Sequence, residues 1–250
     1  MPASENFYVL STKKLKSLLV AQAIESHIAL VELPFTETIP IDPFLLKKEL
    51  DGLHAKNLQV IFTSQHAVEI VTKHLEEKPF QWKIYCTGPK TDKLVASYFG
   101  TSSIATTAHN ASELAKQIIM NGGGEFIFFC GDQRRNELPQ LLKDHNIPVI
   151  EIVVYETKPV GRTDACTYDG ILFFSPMAVQ SFFTHNSLTT SAVCFAIGET
   201  TANEIKKFTS EKVMVPAVST EDHLLRLMID HFTQNHASNH STPFKKRSPY

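Results

Sequence analysis

The sequence lacks any apolar segment long enough to cross a membrane. Its apolar runs, such as residues 126–129 and 171–174, are short, whereas a membrane helix needs about 20 apolar residues. Residues 1–7 include acidic and polar side chains and no basic segment leading into an apolar core, which is not typical of a secretory signal peptide. We therefore expect no membrane contact and a cytoplasmic location.

Basic charge is also scarce. The chain has 24 basic and 26 acidic residues, a formal net charge of -2 at pH 7, and they are scattered in small mixed groups. A nucleic-acid-binding protein needs a basic patch or stripe, because it must neutralise backbone phosphates. The sequence therefore predicts no nucleic-acid partner.

Cysteine is too sparse for a disulfide framework. The four cysteines are far apart and three of them lie in apolar runs, where a free thiol behaves as a small buried hydrophobe: Cys86, Cys130, Cys166 and Cys194. The only closely spaced histidines are His231, His236 and His240. They lie in a polar tail, so solvation is a better interpretation than metal binding.

The common catalytic and nucleotide-binding motifs are missing. There is no Gly-x-Gly-x-x-Gly and no Gly-x-x-x-x-Gly-Lys-Ser/Thr, which argues against a dinucleotide or nucleoside-triphosphate site. We also find no nucleophile elbow and no paired carboxylates at a recognisable catalytic spacing. Motif spacing alone thus indicates no particular reaction.

What is present is an alternation of short apolar runs with amphipathic segments, in a chain that is 43% hydrophobic and 20% charged. This rhythm predicts an α/β fold with buried parallel strands. The predicted strands are 7–10, 28–33, 58–62, 83–87, 103–105, 125–130, 149–155, 171–174, 193–197 and 212–215, with a first helix over 13–26. Asn110 and Ser219, each three residues before an acid, are predicted to cap helices.

An internal repeat predicts two similar α/β units. Residues 62–68 resemble residues 173–179, and residues 87–91 resemble residues 197–201 with nearly the same offset. The first strand and helix precede the first repeat, and a long segment separates the two repeats. The chain is therefore expected to cross between domains twice.

The boundaries of these domains follow from the extended, proline-containing segments. We expect a first, discontinuous α/β domain of residues 1–35 and 160–235 and a second of residues 42–150. The connections 36–41 and 151–159 are expected to pair as a two-stranded β-ladder hinge. Residues 236–250 lack periodicity and are predicted to form a flexible tail.

Anion binding is the chemistry that the repeated turns favour. Ser64 and Ser175 each follow a strand and precede a helix, where free backbone N–H groups attract carboxylate or phosphate. Gly88 and Gly198 occur in a second pair of such turns. The alternative is that both serines are simple N-caps. In parallel sheets ligands bind beyond the strand carboxyl ends, so we expect a ligand with several negative groups between two domains.

A third turn contains Arg135, which could bind a carboxylate with its planar guanidinium. The alternative is a solvated arginine at a helix start, paired with Glu137 or Asp132. Sequence alone leaves both interpretations open.

Six motifs occur in order between about residues 58 and 205. They consist of residues 62–64 with Ala67 and Val68, 88–91, Cys130 and Gly131 with Arg135 and Leu138, 154–157, 174–176 and 196–202. Together they resemble the uroporphyrinogen-III synthase family. The resemblance implies two α/β domains joined by a two-stranded ladder, a monomer, and no cofactor or metal. It implies a small-molecule substrate, the linear tetrapyrrole hydroxymethylbilane with its eight carboxylates. The reaction would be cyclisation with inversion of ring D through a spirocyclic intermediate.

The resemblance also implies site residues. Tyr155 matches the family's tyrosine and would donate a proton to the departing hydroxyl; the alternative is a tyrosine that ends a strand with its ring packed. The implied substrate-binding residues are Thr63, Ser64, Gln65, Gly88, Thr91, Gly131, Asp132, Arg135, Ser175, Pro176, Met177, Gly198, Thr200 and Thr201.

One segment departs from the family, and two other functions stay open. Many bacterial members have Thr-Arg-Pro after the first strand, whereas this chain has residues 11–14 reading Ser-Thr-Lys-Lys. A lysine supplies positive charge there, but it cannot bind a carboxylate through two parallel hydrogen bonds as an arginine can. The alternatives to the enzyme are a non-catalytic binder of a polyanionic metabolite and a diverged paralogue with an interaction role.

Overall fold

The computed structural model describes residues 7–51, 53, 56–75, 81–188 and 192–239, with the backbone alone over 235–239. Its contacts divide the chain into two compact units, Met1–Glu37 with Lys158–Tyr250 (unit 1) and Thr38–Thr157 (unit 2). Each unit contains a parallel sheet with helices.

The strands and helices alternate along most of the chain. In order they are β1 (Phe7–Ser11), α1 (Ser17–Glu25), β2 (Ile28–Glu32), β3 (Thr36–Pro40), α2 (Pro43–Leu50), β4 (Leu58–Phe62), α3 (Gln65–His74), β5 (Trp82–Thr87), α4 (Pro89–Phe99), β6 (Ile104–Ala108), α5 (Ala111–Asn121), β7 (Phe126–Gly131), α6 (Glu137–Asp144), β8 (Val149–Pro159), β9 (Gly170–Phe173), α7 (Pro176–His185), β10 (Val193–Ala196), α8 (Glu199–Ile205), β11 (Val213–Met214) and α9 (Glu221–Asn239).

Unit 1 is built on a five-stranded sheet in the order β11-β10-β9-β1-β2. All four neighbouring pairs are parallel. Successive residues of β1 face opposite sides, since Leu10 packs with Phe173 in one apolar cluster and Val9 packs with Leu172 in the other. Helices therefore cover both faces, as a parallel sheet requires.

Unit 2 contains a six-stranded sheet in the order β3-β8-β7-β4-β5-β6. The pairs from β8 to β6 are parallel. Every residue of the central strand β7 is buried. Phe129 of β7 packs in one apolar cluster with Phe62, and Phe128 packs in the other with Ile61, so this sheet also has a core on each face.

The division between the units falls within β3 and β8. These strands are neighbours at the edge of the six-stranded sheet, and the backbone N–H of Ile41 donates to the carbonyl of Val154 at 3.1 Å. The two extended connections expected from the sequence are therefore adjacent strands. Their action as a hinge stays a prediction.

Several predicted boundaries were wrong by a few residues. Helix α1 begins at Ser17, not at residue 13, β6 covers residues 104–108, and β8 continues to Pro159 instead of ending at 155. Short strands are extended by pairing with neighbours, which the local sequence does not show.

The helix starts agree with the sequence at one position and differ at another. Asn110 caps α5 as predicted, because its side chain accepts the backbone N–H of Glu113 at 2.9 Å. The prediction that Ser219 caps α9 was wrong, because the hydroxyl of Thr220 accepts the backbone N–H of His223 at 3.3 Å instead. Helix α9 continues to Asn239, past the predicted start of the tail at residue 236; residues 240–250 lie outside the described part.

Candidate active site

The carboxyl ends of three parallel strands of unit 2, β4, β5 and β7, lie at one edge of the sheet, beside Tyr155, the last residue of β8 that pairs with β7. A cavity of about 270 Å³ opens at this edge. Of the predicted site residues it brings together Thr63, Ser64, Gly131, Arg135 and Tyr155. Parallel topology explains this, because residues distant in sequence follow strands that end side by side.

Tyr155 lies across the end of the central strand. Its phenol donates a hydrogen bond of 3.2 Å to the hydroxyl of Ser64. A β-carbon placed on Gly131 would lie 2.2 Å from Cε2 of the tyrosine ring, so the ring occupies the space that a side chain at position 131 would take. Glycine is therefore required at this position for the ring to reach Ser64.

Ser64 differs from its repeat partner in what its hydroxyl does. It occupies the N-cap position of α3 but makes no side-chain capping bond. Ser175, at the start of α7, accepts the backbone N–H of Ala178 at 3.1 Å. The simple N-cap interpretation thus fits Ser175, whereas the hydroxyl of Ser64 is bound by Tyr155.

The two neighbouring arginines also differ. Arg134 is ion-paired with Glu151 and donates to Asn136 at 3.3 Å. Arg135 also lines the cavity, is exposed, and has no hydrogen-bond or ion-pair partner among the described residues. The alternative pairing of Arg135 with Glu137 or Asp132 is not observed, so its guanidinium is available to an anion.

Two cavity neighbours were not proposed from the sequence. Arg134 lines the cavity, and the ring of His66 meets that of Tyr155 edge-on, with centroids 6.0 Å apart. His66 lies 3.6 Å from Glu69. Its position in the first turn of α3 was visible in the sequence, but its proximity to Tyr155 depends on sheet order.

Asp132 and Gln65 are exposed at the same edge. The carboxylate of Asp132 already has two partners: Oδ1 accepts the backbone N–H of Thr157 at 2.9 Å and Oδ2 accepts from Gln133 at 3.1 Å. Its predicted substrate contact would have to compete with these bonds.

Gly88 lines a second cavity of unit 2, of about 220 Å³, with Asp92 and Glu113 among its other lining residues. The positive φ of Gly88, 78°, explains glycine at this turn. Thr91, one turn into α4, is only 5% exposed. Little of its surface can therefore touch a ligand.

The predicted residues of unit 1 are distributed over two helix starts. Pro176 and Met177 form the first turn of α7 and are partly buried, while Thr200 is exposed in the first turn of α8. Thr201 is only 3% exposed. Gly198 is extended rather than left-handed, and a β-carbon there would lie 2.9 Å from Ser219 Oγ. The repeated glycines thus serve different backbone needs.

Lys13, in the segment that departs from the family, is engaged within unit 1. Its ammonium lies 2.5 Å from a carboxylate oxygen of Glu221 and 5.2 Å from the ring centre of Phe174. Any anion binding there would compete with Glu221.

The buried cysteines have raised pKa values. Burial raises the pKa of Cys130, which precedes Gly131, to about 11, and the charge of Glu151 acts in the same direction while Arg134 opposes it. Burial likewise raises the pKa of Cys194 to about 12. Both are neutral thiols near pH 7, so neither is an activated nucleophile.

A family model described as uroporphyrinogen-III synthase HemD matches residues 18–226. The chain belongs to the uroporphyrinogen-III synthase family. Members of this family are cyclising lyases of tetrapyrrole and haem biosynthesis, and this is the function that membership assigns to the chain. The substrate class is accordingly a small-molecule tetrapyrrole.

Solved structures agree in fold. The uroporphyrinogen-III synthetase of Helicobacter pylori superposes with a TM-score of 0.62 at 15% identity, covering 91% of this chain and 100% of that one. A mutant uroporphyrinogen III synthase of the extremely thermophilic bacterium Thermus thermophilus gives a TM-score of 0.55 at 15% identity, covering 93% and 99%. These matches confirm the predicted fold of two parallel-sheet α/β domains.

Within the described ranges, no helix has both the length and the apolar character needed to cross a bilayer.

Proposed function

We propose that this member of the family converts hydroxymethylbilane into uroporphyrinogen III, with Tyr155 as the proton donor to the departing hydroxyl. The supporting observation is the Tyr155 phenol, which reaches over Gly131 to a cavity that also holds the unpaired Arg135. An acid and a carboxylate anchor are thereby present in one place.

The proton transfer requires the phenol to exchange partners. The Tyr155–Ser64 distance of 3.2 Å is longer than the roughly 2.7–2.8 Å usual between two hydroxyls, so the substrate hydroxyl displaces a weak bond. The phenol gives its proton to the departing hydroxyl, which leaves as water, and loss of the N–H proton of the same pyrrole ring gives the electrophilic azafulvene. The substituted carbon of ring D attacks the azafulvene methylene and forms the spirocyclic intermediate. The bond from that carbon to its original bridge then breaks, the bridge carbon bonds to the free α-carbon of ring D, and loss of the proton from that carbon leaves the ring inverted.

The size of the cavity favours binding of part of the substrate. At about 270 Å³ it lies just below the range of roughly 300–1,000 Å³ that holds drug-sized ligands. We infer that it receives the terminal ring that carries the hydroxymethyl group, beside Tyr155. The rest of the tetrapyrrole then lies outside this cavity.

Arg135 is proposed to bind a substrate carboxylate. Its planar guanidinium can make two parallel hydrogen bonds, and the backbone N–H groups at the start of α3 point to the same edge without a side-chain cap from Ser64. Thr63, Gln65 and Gly88 are the neighbouring candidates in unit 2. In unit 1 the candidates are Ser175, Pro176, Met177, Gly198 and Thr200. Thr91 of unit 2 and Thr201 of unit 1 would act through their backbone, because their side chains are buried.

A cytoplasmic location, a monomeric state, and the absence of nucleic-acid and membrane partners are proposed from the composition and from the resemblance. We also propose a discontinuous first domain of residues 1–35 and 160–235 and a second domain of residues 42–150. A binder without catalysis or an interaction paralogue is not favoured by family membership.

The test is to supply freshly prepared hydroxymethylbilane and to resolve the uroporphyrinogen isomers that form. Left free in water, the azafulvene closes without inversion, so a control without protein gives isomer I. Isomer III in excess is the expected result. Isomer I alone at the control rate would refute the proposal.

A further inference from the structure

We propose that Asp132 and Gly131 are positioning residues that set the place of the Tyr155 hydroxyl, and that Asp132 is not a ligand of the substrate. This inference rests on the catalytic role proposed above for Tyr155. Gly131 ends β7, Asp132 follows it, Tyr155 lies in β8 and Ser64 follows β4, all within unit 2.

Asp132 holds the β8 segment around Tyr155 by two bonds. Its backbone N–H donates to the carbonyl of Tyr155 at 3.1 Å, and its Oδ1 accepts the backbone N–H of Thr157 at 2.9 Å. The side chain thus continues the pairing of β7 with β8 beyond the last residue of β7.

This support is needed because the pairing is irregular there. Cys130 pairs with Val153, but Gly131 pairs with Tyr155, so one additional residue of β8 lies between. Successive side chains of a strand face opposite sides, and a slip of one residue would turn Tyr155 to the other face. The two bonds from Asp132 fix the register that directs the ring over β7.

Gly131 leaves the path open for the ring. Ring atoms Cε2, Cζ and Cδ2 would lie 2.2, 2.5 and 2.9 Å from a β-carbon at this position. In the order β8-β7-β4 the tyrosine reaches from β8 across β7 to Ser64 at the end of β4, a span of two strand spacings, roughly 9–10 Å. Any side chain at 131 would block this path.

The charge of Asp132 opposes a role in substrate binding. Both of its carboxylate oxygens already accept hydrogen bonds. The proposed substrate carries many carboxylates, and like charges at close range repel. A residue that binds backbone within the protein and repels the substrate is better explained by the position it gives Tyr155.

The experiment combines kinetics with a direct report on the ring. Asp132→Ala, Asp132→Asn, Tyr155→Phe and the double variant D132A/Y155F are assayed with hydroxymethylbilane in the full chain. In parallel, 3-fluorotyrosine is placed at position 155 of the parent chain and of the Asp132→Ala and Asp132→Asn variants, and its ¹⁹F NMR shift is recorded. Asp169→Ala is the matched control, because Asp169 also bonds a strand through its backbone N–H and its carboxylate, which contact the carbonyl and the N–H of Tyr8 at 2.8 Å each.

We expect D132A to lower kcat by about 10- to 100-fold, since displacing a catalytic group by about 1 Å can cost that much. KM should change little, the ¹⁹F signal should shift or broaden, and D132A should cause no further loss in the Y155F background. D132N keeps an acceptor oxygen for Thr157 and should restore most of the rate. D169A should change neither the rate nor the ¹⁹F signal.

Opposite outcomes separate the two proposals. If D132A raised KM at unchanged kcat, and if this effect added to that of Y155F in the double variant, Asp132 would be a substrate ligand and the inference would be overturned. An unchanged ¹⁹F signal in D132A would overturn it whatever the kinetics show, whereas an undiminished rate in Y155F would refute the catalytic role of Tyr155 alone. Should D132A not fold, Gly131→Ala is expected to shift the signal and D132N to leave it in place; the reverse would overturn the inference.

Discussion

The phenol of Tyr155 donates a hydrogen bond of 3.2 Å to the hydroxyl of Ser64, although 91 positions separate the two residues in the chain. Both side chains are partly buried, beside the carboxyl ends of β4 and β7. The bond sets the direction of the phenol O–H that we assign to catalysis, and the Ser64 hydroxyl that accepts it makes no side-chain capping bond to α3.

Removing the phenol oxygen should slow the reaction without weakening binding. We expect Tyr155→Phe to lower kcat by about 100-fold, within the range for loss of a general acid, with KM unchanged. Tyr85→Phe is the matched control, because Tyr85 donates to Gln59 at 2.9 Å elsewhere in the same unit. Equal rates for both variants in a steady-state assay would contradict the assignment.

Removing the unpaired guanidinium should weaken binding instead. Arg135→Gln is expected to raise KM about tenfold, equivalent to about 1.4 kcal/mol, and the difference should shrink at high salt because exposed charges are screened. Arg226→Gln, an exposed arginine of α9, is the charge-matched control. A KM that responds equally to both variants would mean that only net charge matters.

The two repeat serines should differ in stability. Ser175→Ala removes a capping bond to Ala178 and should lower the free energy of unfolding by about 1 kcal/mol. Ser64→Ala removes no cap and should cost less. Urea unfolding of the two variants makes the comparison, and a larger loss for S64A would show that the capping assignment is wrong.

Acid sensitivity should depend on the contact between Tyr168 and Asp164. The Tyr168 hydroxyl donates to Asp164 at 2.5 Å, and this bond, with the N–H of Cys166, lowers the pKa of Asp164. A carboxyl whose pKa is lower in the folded state stabilises the fold above its unfolded pKa, near 4, and loses this effect as the pH falls through the folded value.

Tyr168→Phe should therefore be less stable than the parent by about 1 kcal/mol near pH 7, and the difference should narrow as the pH falls below the unfolded pKa of the carboxyl, near 4. Urea unfolding near pH 7 and below about pH 4 measures this difference. Y85F, which removes a bond to the neutral Gln59, should show a difference that does not vary with pH. If the stability difference between Y168F and the parent were also independent of pH, the bond from Tyr168 could not be the cause of the lowered pKa of Asp164.

Much of the fold could be predicted because the apolar composition of a strand is a local property. The run 126–129 is apolar at every position, and β7 is buried throughout at the centre of its sheet. Asn110 was recognisable as a cap from its spacing to Glu113. By contrast, the exact end of β8 and the shortness of β11 depended on partners from other parts of the chain.

The sequence by itself determined the α/β class, the repeated turns and the family resemblance, because apolar periodicity and turn residues act over a few neighbouring positions. Only the tertiary structure decided which residues share the edge: that Tyr155 crosses Gly131 to reach Ser64, that Arg134 is paired while Arg135 is not, and that Thr91 and Thr201 are buried. These facts follow from strand order and register, which join residues far apart in the chain and leave no local pattern in it.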